Sequence, residues 1–247
     1  MKTILEICAA DIESVYAAAR GGADRVELCC ALGQGGLTPS LGLIEQSLVV
    51  PGIKVNVLIR PRPGDFLYSE AELRTMERDI EVCRRLGVNG VVFGALTPDG
   101  DIDIKVCHHL AEVAGDMHKT FHRAFDVLRD PYRAVCQIMA LGFDRILTSG
   151  QAASAMEGLD LIAGLQREFP DMIFMAAGGI SPANVANIVS RTGVREVHAS
   201  AKTNVASDMR YRHKGVSMGA HEADEYTRQT TSSDIVSMIN DKLSIVN

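Results

Sequence analysis

Eight times along its 247 residues the chain passes from a short run rich in Val, Ile and Leu into a longer segment of helical period, and that alternation leaves few folds open. It is the pattern of repeated βα units around a parallel sheet. The runs place strands at Ile4–Cys8, Arg25–Cys29, Lys54–Arg60, Gly90–Gly94, Lys119–His122, Arg145–Thr148, Met172–Ala176 and Glu196–Ser200. Helix starts are marked by Asp11, by Ser69 with Glu72 three residues later, and by Ser181-Pro182. Gly87, Gly142 and Gly193 stand where helices need to stop. Eight units in a chain of this length predict an α/β fold, a TIM-like (β/α)8 barrel in one domain spanning 1–247. The runner-up is a doubly wound open sheet. No GxGxxG turn follows the first strand, so no nucleotide cofactor is expected. The eighth unit is irregular, because a long polar stretch from Ala201 to Thr231 precedes the last helix. It reads as a loop over the barrel mouth.

The formal net charge of -6 argues against a broad basic surface and hence against nucleic acid as a partner. Glu6, Asp11 and Glu13 interrupt the apolar N-terminus before the core of a signal peptide can form, which predicts a cytoplasmic protein. No run approaches the ~20 uncharged residues of a membrane span, so no membrane partner is expected. The six cysteines show neither CxxC spacing nor the density of a disulfide-stapled domain. They read as reduced thiols, and any metal site has to be assembled from residues distant in sequence.

Side chains alternate along a strand, and in a barrel the apolar set faces the helices. Leu5 and Ile7 then face out, leaving Glu6 and Cys8 inside. The same parity turns Glu27 and Cys29 inward, with Asn56, Leu58 and Arg60, and with Glu196, His198 and Ser200. The fifth strand is ambiguous: either Thr120 and His122 or Lys119, Phe121 and Arg123 form the inner set, and the first is favoured. Such an interior holds charge where barrels ordinarily hold Val, Ile and Leu. One reading is a structural salt-bridge network. The other is a site, since these residues lead into the loops where barrel enzymes place their chemistry.

The loops add candidates. GQGGLTPS, from Gly33 to Ser40, has glycines that let backbone amides approach an anion. RPRPGDF presents Arg60 and Arg62 to an anionic ligand, and TFHRAFD puts His122, Arg123 and Asp126 within a few residues, an imidazole near a carboxylate. Gly178 and Gly179, running into the helix begun at Ser181-Pro182, are placed to cradle a phosphate or carboxylate, with Ser200 beside them. Cys83, Cys107 and Cys136 fall within helices and read as apolar filler. Cys8 and Cys29 end adjacent strands, where they are either two inert buried thiols or a soft pair suited to Cu(I).

The motifs EIC at Glu6–Cys8, GGADRVELC at Gly21–Cys29, GGLTPS at Gly35–Ser40, IRPRPGDFLYS at Ile59–Ser69, VFGALTPDGDID at Val92–Asp103, TFHRAFD at Thr120–Asp126 and LTSG at Leu147–Gly150 resemble the copper homeostasis protein CutC family over essentially the whole chain. The resemblance implies a TIM-like barrel, a homodimer, a cytoplasmic location and a role in copper handling. It also implies a Cu(I) site on Cys8 and Cys29, the positions matching two cysteines proposed as copper ligands in the family's eukaryotic member. Two functional readings follow. The first is a protein that binds copper ion through Cys8 and Cys29. The second is an enzyme acting on a small anionic molecule, with Arg60 and Arg62 on the anion, His122 or His198 as acid or base, and Glu27 or Asp126 as partner. A third, purely structural role leaves the convergent charges serving the barrel alone.

Overall fold

The computed structural model describes residues 2–213, 215, 216, 218 and 224–246. Eight parallel strands close into a barrel in the order of the sequence: β1 (Ile4–Ala9), β2 (Arg25–Leu28), β3 (Lys54–Leu58), β4 (Gly90–Phe93), β5 (His118–Phe121), β6 (Arg145–Thr148), β7 (Ile173–Ala176) and β8 (Glu196–Ala199). Each differs from its sequence-based span by no more than two residues at either end. Cys29, Arg60, His122 and Ser200 stand just past the ends of their strands, which frees their backbones to turn into loops.

The helices are α1 (Ile12–Arg20), α2 (Leu41–Leu48), α3 (Glu70–Leu86), α4 (Ile104–Ala114), α5 (Pro131–Ala140), α6 (Leu159–Glu168), α7 (Val185–Thr192) and α8 (Ser233–Val246). Local chemistry sets their ends. Asp11 accepts from the Ser14 amide at 2.7 Å, satisfying a donor the first turn cannot. Ser69 and Glu72 form a reciprocal capping box at the start of α3. Gly87 and Gly193 end α3 and α7 in the left-handed region, at φ 75° and 74°, which disfavours a side chain. The seventh helix starts later than Ser181-Pro182 suggests. Ser181 to Asn184 form a turn, because the Asn184 side chain accepts the Ser181 amide, and α7 begins at Val185.

The stretch read as a loop is partly regular. β9 (Lys202–Ala206) and β10 (Thr227–Thr231) pair as an antiparallel hairpin, register Lys202 to Thr231. The hairpin leans on α1, where Ser14 Oγ accepts the Thr231 amide and meets Thr230 Oγ1 at 3.1 Å. Its described residues do not line the cavity at the barrel mouth. Period-two polar alternation is weak evidence for a strand in sequence, and hairpin pairing supplied what the pattern lacked.

Most of the apolar core lies between sheet and helices, around Leu5, Ile7, Val26, Leu28, Val57 and Ile59. The barrel lumen is polar at its base. Arg25 is bonded to Glu6 and, at 2.6 Å, to Glu196; Arg145 holds Glu196 through two nitrogens and also reaches Thr120 Oγ1 at 3.1 Å. Asn56 Nδ2 donates to Glu6 at 3.4 Å. Two carboxylates and two guanidiniums, all buried, thereby neutralise one another. Thr120 faces inward, as parity favoured. Arg25 and Arg145 follow from that same parity, two residues before inward Glu27 and Leu147, yet neither stands out in sequence because each opens its strand.

Candidate functional site

Above this ionic floor the strand ends enclose a cavity of about 250 Å³. One side comes from β1, β2 and β8. Strand register puts Cys8 opposite Glu27 and Glu6 opposite His198, so four polar residues from three neighbouring strands converge. Cys8 Sγ stands 3.5 Å from Cys29 Sγ and 3.7 Å from Glu27 Oε2. His198 Nδ1 is 2.8 Å from Glu6 Oε1, while its Nε2 lies 3.8 Å from Glu27 Oε2. One ligand atom from each of Cys8, Glu27 and His198 falls within 4.8 Å of the others.

The electrostatics of this corner follow from burial. Burial opposes charge on Glu6, but Arg25 and then His198 hold its pKa well below the ordinary range, so it is a carboxylate. An ionised Glu6 accepts a proton from His198 Nδ1, so that in the neutral imidazole it is Nε2, 3.8 Å from Glu27 Oε2, that keeps the lone pair. Burial likewise disfavours charge on His198, and the carboxylates of Glu27 and Glu6 outweigh it, raising its pKa. Glu27 is lifted to about 7, mainly by burial, and its Oε1 is buried without a partner. Cys8 is raised well above an ordinary thiol by its contact with Cys29, by burial and by the nearby carboxylates. At neutral pH this is a protonated, poorly nucleophilic thiol, and a soft cation is what would draw the proton off it.

The other side comes from β3, β5, β6 and β7. His122 is 3% exposed, and its Nδ1 accepts the Ala124 amide at 3.3 Å. Burial, reinforced by Arg60, holds its pKa down to about 3, so the imidazole is neutral with its proton on Nε2. Gly94 makes room for it: a Cβ there would stand 3.0 Å from His122 Nδ1 and 2.9 Å from the Phe121 ring. Phe66 lies against the imidazole at 4.7 Å between centroids. Gly178, Gly179 and Ser200 line the cavity too.

Four sequence expectations change. The Arg60 Nη atoms do not face an anion: Nη1 donates to the Gln34 and Gly36 carbonyls and Nη2 to that of Gly64. The glycine-rich turn after β2 accordingly presents carbonyls to a guanidinium rather than amides to an anion. Arg62 is outside the cavity lining; its guanidinium holds Glu72, Asp65 and loop carbonyls. Asp126 does not line the cavity and no hydrogen bond joins it to His122 among the described residues. Its carboxylate accepts from Thr148 Oγ1, the Ser149 and Gln151 amides and Arg123 Nε, pinning the turn after β6. A short His-to-Asp spacing in sequence cannot distinguish facing side chains from ones turned apart by the intervening 3₁₀ turn at Arg123–Val127. Arg123, which belongs to the less favoured inner set of the fifth strand in sequence, also lines the cavity.

The model of the CutC family matches residues 3–203. The CutC family protein of Chromobacterium violaceum is 49% identical over 244 residues, covering 98% of this chain and 99% of that one. The human copper homeostasis protein cutC homolog is 43% identical over 242 residues, covering 96% and 88%. Among solved structures, CutC from Streptococcus agalactiae superposes with a TM-score of 0.77 at 35% identity, covering 80% of this chain and 98% of that one.

Proposed function

The chain belongs to the CutC family, and from that premise we propose that it serves copper homeostasis by holding copper(I) on Cys8 and Cys29. The observation that supports this reading is the pair of reduced sulfurs 3.5 Å apart at the end of β1 and β2. Two thiolates match the preference of a soft monovalent ion, and the structure supplies them from adjacent strands without a disulfide. His198 Nε2, presented by Glu6, and the unpartnered Glu27 Oε1 are at hand to complete a coordination sphere. Cys29 is fully buried and Cys8 is 8% exposed, a placement that suits retention of the ion over rapid exchange. All six cysteines are free, which fits a reducing cytoplasm, and among the described residues no helix is long and apolar enough to cross a membrane. The homodimer implied by the family is part of the proposal, with an expected solution mass of twice 26.6 kDa.

The test is titration of the reduced protein with Cu(I) against a competing chelator, beside the Cys8→Ser/Cys29→Ser double variant. At least a hundredfold loss of affinity in the variant is expected. Equal affinities overturn the reading.

A further inference from the structure

The cysteines account for one side of the cavity only. In a closed barrel ordered β1 to β8, β5 lies across from β1, so His122 and Arg123 face the cavity from the side opposite Cys8. We propose that this opposite half is a binding site for a small organic oxyanion, a carboxylate or phosphate ester, seated against His122, Arg60 and the Gly178–Gly179 turn. This goes beyond copper binding and does not depend on it.

Three observations converge. First, two deeply buried side chains that line the cavity carry N–H groups without an acceptor: His122 Nε2 and Arg60 Nε. The other nitrogens of both are engaged with backbone, so each is held rigidly with one donor left over. Such buried donors ask for an acceptor oxygen. Second, Gly178 and Gly179 take φ of 90° and 74°, and the Gly178 carbonyl is turned away to accept the Ala155 amide. The amides of Gly178, Gly179 and Ile180 donate to no acceptor among the described residues, and successive free amides in such a turn form a concavity for an anion. Third, the charge balance of the lining favours an anion. Arg60 and Arg123 are the arginines there, Arg123 ion-paired at 2.7 Å to Asp126 behind the lining, so that Arg60 brings a positive charge with no carboxylate bonded to it among the described residues, and Glu27, on the cysteine side, is the acid among the lining residues. A cavity of about 250 Å³ lies just below the usual ~300–1,000 Å³ of small-molecule sites, which fits a metabolite of a few carbons.

The experiment uses metal-free, reduced, full-length protein titrated with inorganic phosphate, acetate and phosphoglycolate, which carries both groups, by calorimetry. In parallel, nitrogen-15 spectra of the histidines follow the His122 Nε2–H signal. Expected are submillimolar binding of phosphoglycolate, a shift of the His122 signal at saturation, and at least a tenfold loss of affinity in His122→Phe and in Arg123→Met. Binding should persist in Cys8→Ser/Cys29→Ser, which separates this site from the copper reading. A response to phosphate without acetate assigns a phosphate ester, and the reverse a carboxylate. No binding of any probe, an unmoved His122 signal at saturation, or unchanged affinity in both variants overturns the proposal, and the wild-type spectrum decides the matter if a variant fails to fold.

Discussion

Replacing Arg25 by methionine keeps the length of the side chain while removing the charge that two buried carboxylates share. Arg25 is 7% exposed and bonds both Glu6 and Glu196, so the variant leaves Glu6, which is fully buried, with Asn56 and His198 as its hydrogen-bond partners among the described residues. Breaking a buried pair from one side costs about 3–5 kcal/mol, because the remaining charge stays out of water uncompensated. For a chain of this size about 1 kcal/mol corresponds to roughly 2–4 °C in Tm, giving an expected fall of about 6–20 °C. The exposed Lys2 to Asp24 pair provides the control: its lysine is 58% exposed, and Lys2→Ala should cost less than about 1 kcal/mol. The sign of the pH dependence adds a second check. Glu6 has a folded pKa well below 4.5, so the stability it contributes is present above pH 4.5 and is lost as pH falls toward the folded value. The gap between wild type and Arg25→Met should therefore be widest at neutral pH and shrink in acid. Urea unfolding at pH 7 and pH 4 reads both quantities. A deficit under about 1 kcal/mol at pH 7, or one that does not narrow at pH 4, refutes the ionic-floor argument.

Copper(I) affinity should rise with pH, because Cys8 keeps its proton well above the ordinary thiol range and must release it on binding; each thiol deprotonated adds up to about tenfold per pH unit, measurable by chelator competition between pH 6 and 8. His122 has a folded pKa near 3, below its ordinary 6.5, so the stability it contributes is lost as pH falls from 6.5 toward 3; denaturant midpoints of His122→Gln should decline less over that window than those of wild type. Asp126→Asn weakens several hydrogen bonds to one carboxylate and should cost about 2–4 kcal/mol by urea unfolding, with faster amide exchange at Ser149 and Gln151. Gly94→Ala would force its Cβ into the Phe121 ring and His122, and should lower Tm by several degrees while leaving Cu(I) affinity within about twofold.

Much of this protein can be read from the alternation of its residues. Eight apolar runs separated by helical segments determined a barrel, because each strand must bury an outward face of Leu5 and Ile7 type under a helix. Capping residues determined helix starts at Asp11 and Ser69, since a local hydrogen bond needs only neighbours in sequence. Period-two parity also turned Cys8, Glu27, Arg60, His122 and His198 toward one end of one lumen, where all five line the cavity. What parity could not decide is which of those groups meet. Whether Arg60 clamps a ligand or its own loops depends on where Gln34, Gly36 and Gly64 place their carbonyls. Whether Asp126 serves His122 or the Ser149 turn depends on a 3₁₀ turn whose direction is set by packing against β6. The pairing of Arg25 and Arg145 with Glu6 and Glu196 joins strands 19 to 171 residues apart, and only barrel closure brings β8 beside β1. Facing direction is a local property of a strand, legible in sequence; partnership across a closed sheet is a property of the whole fold.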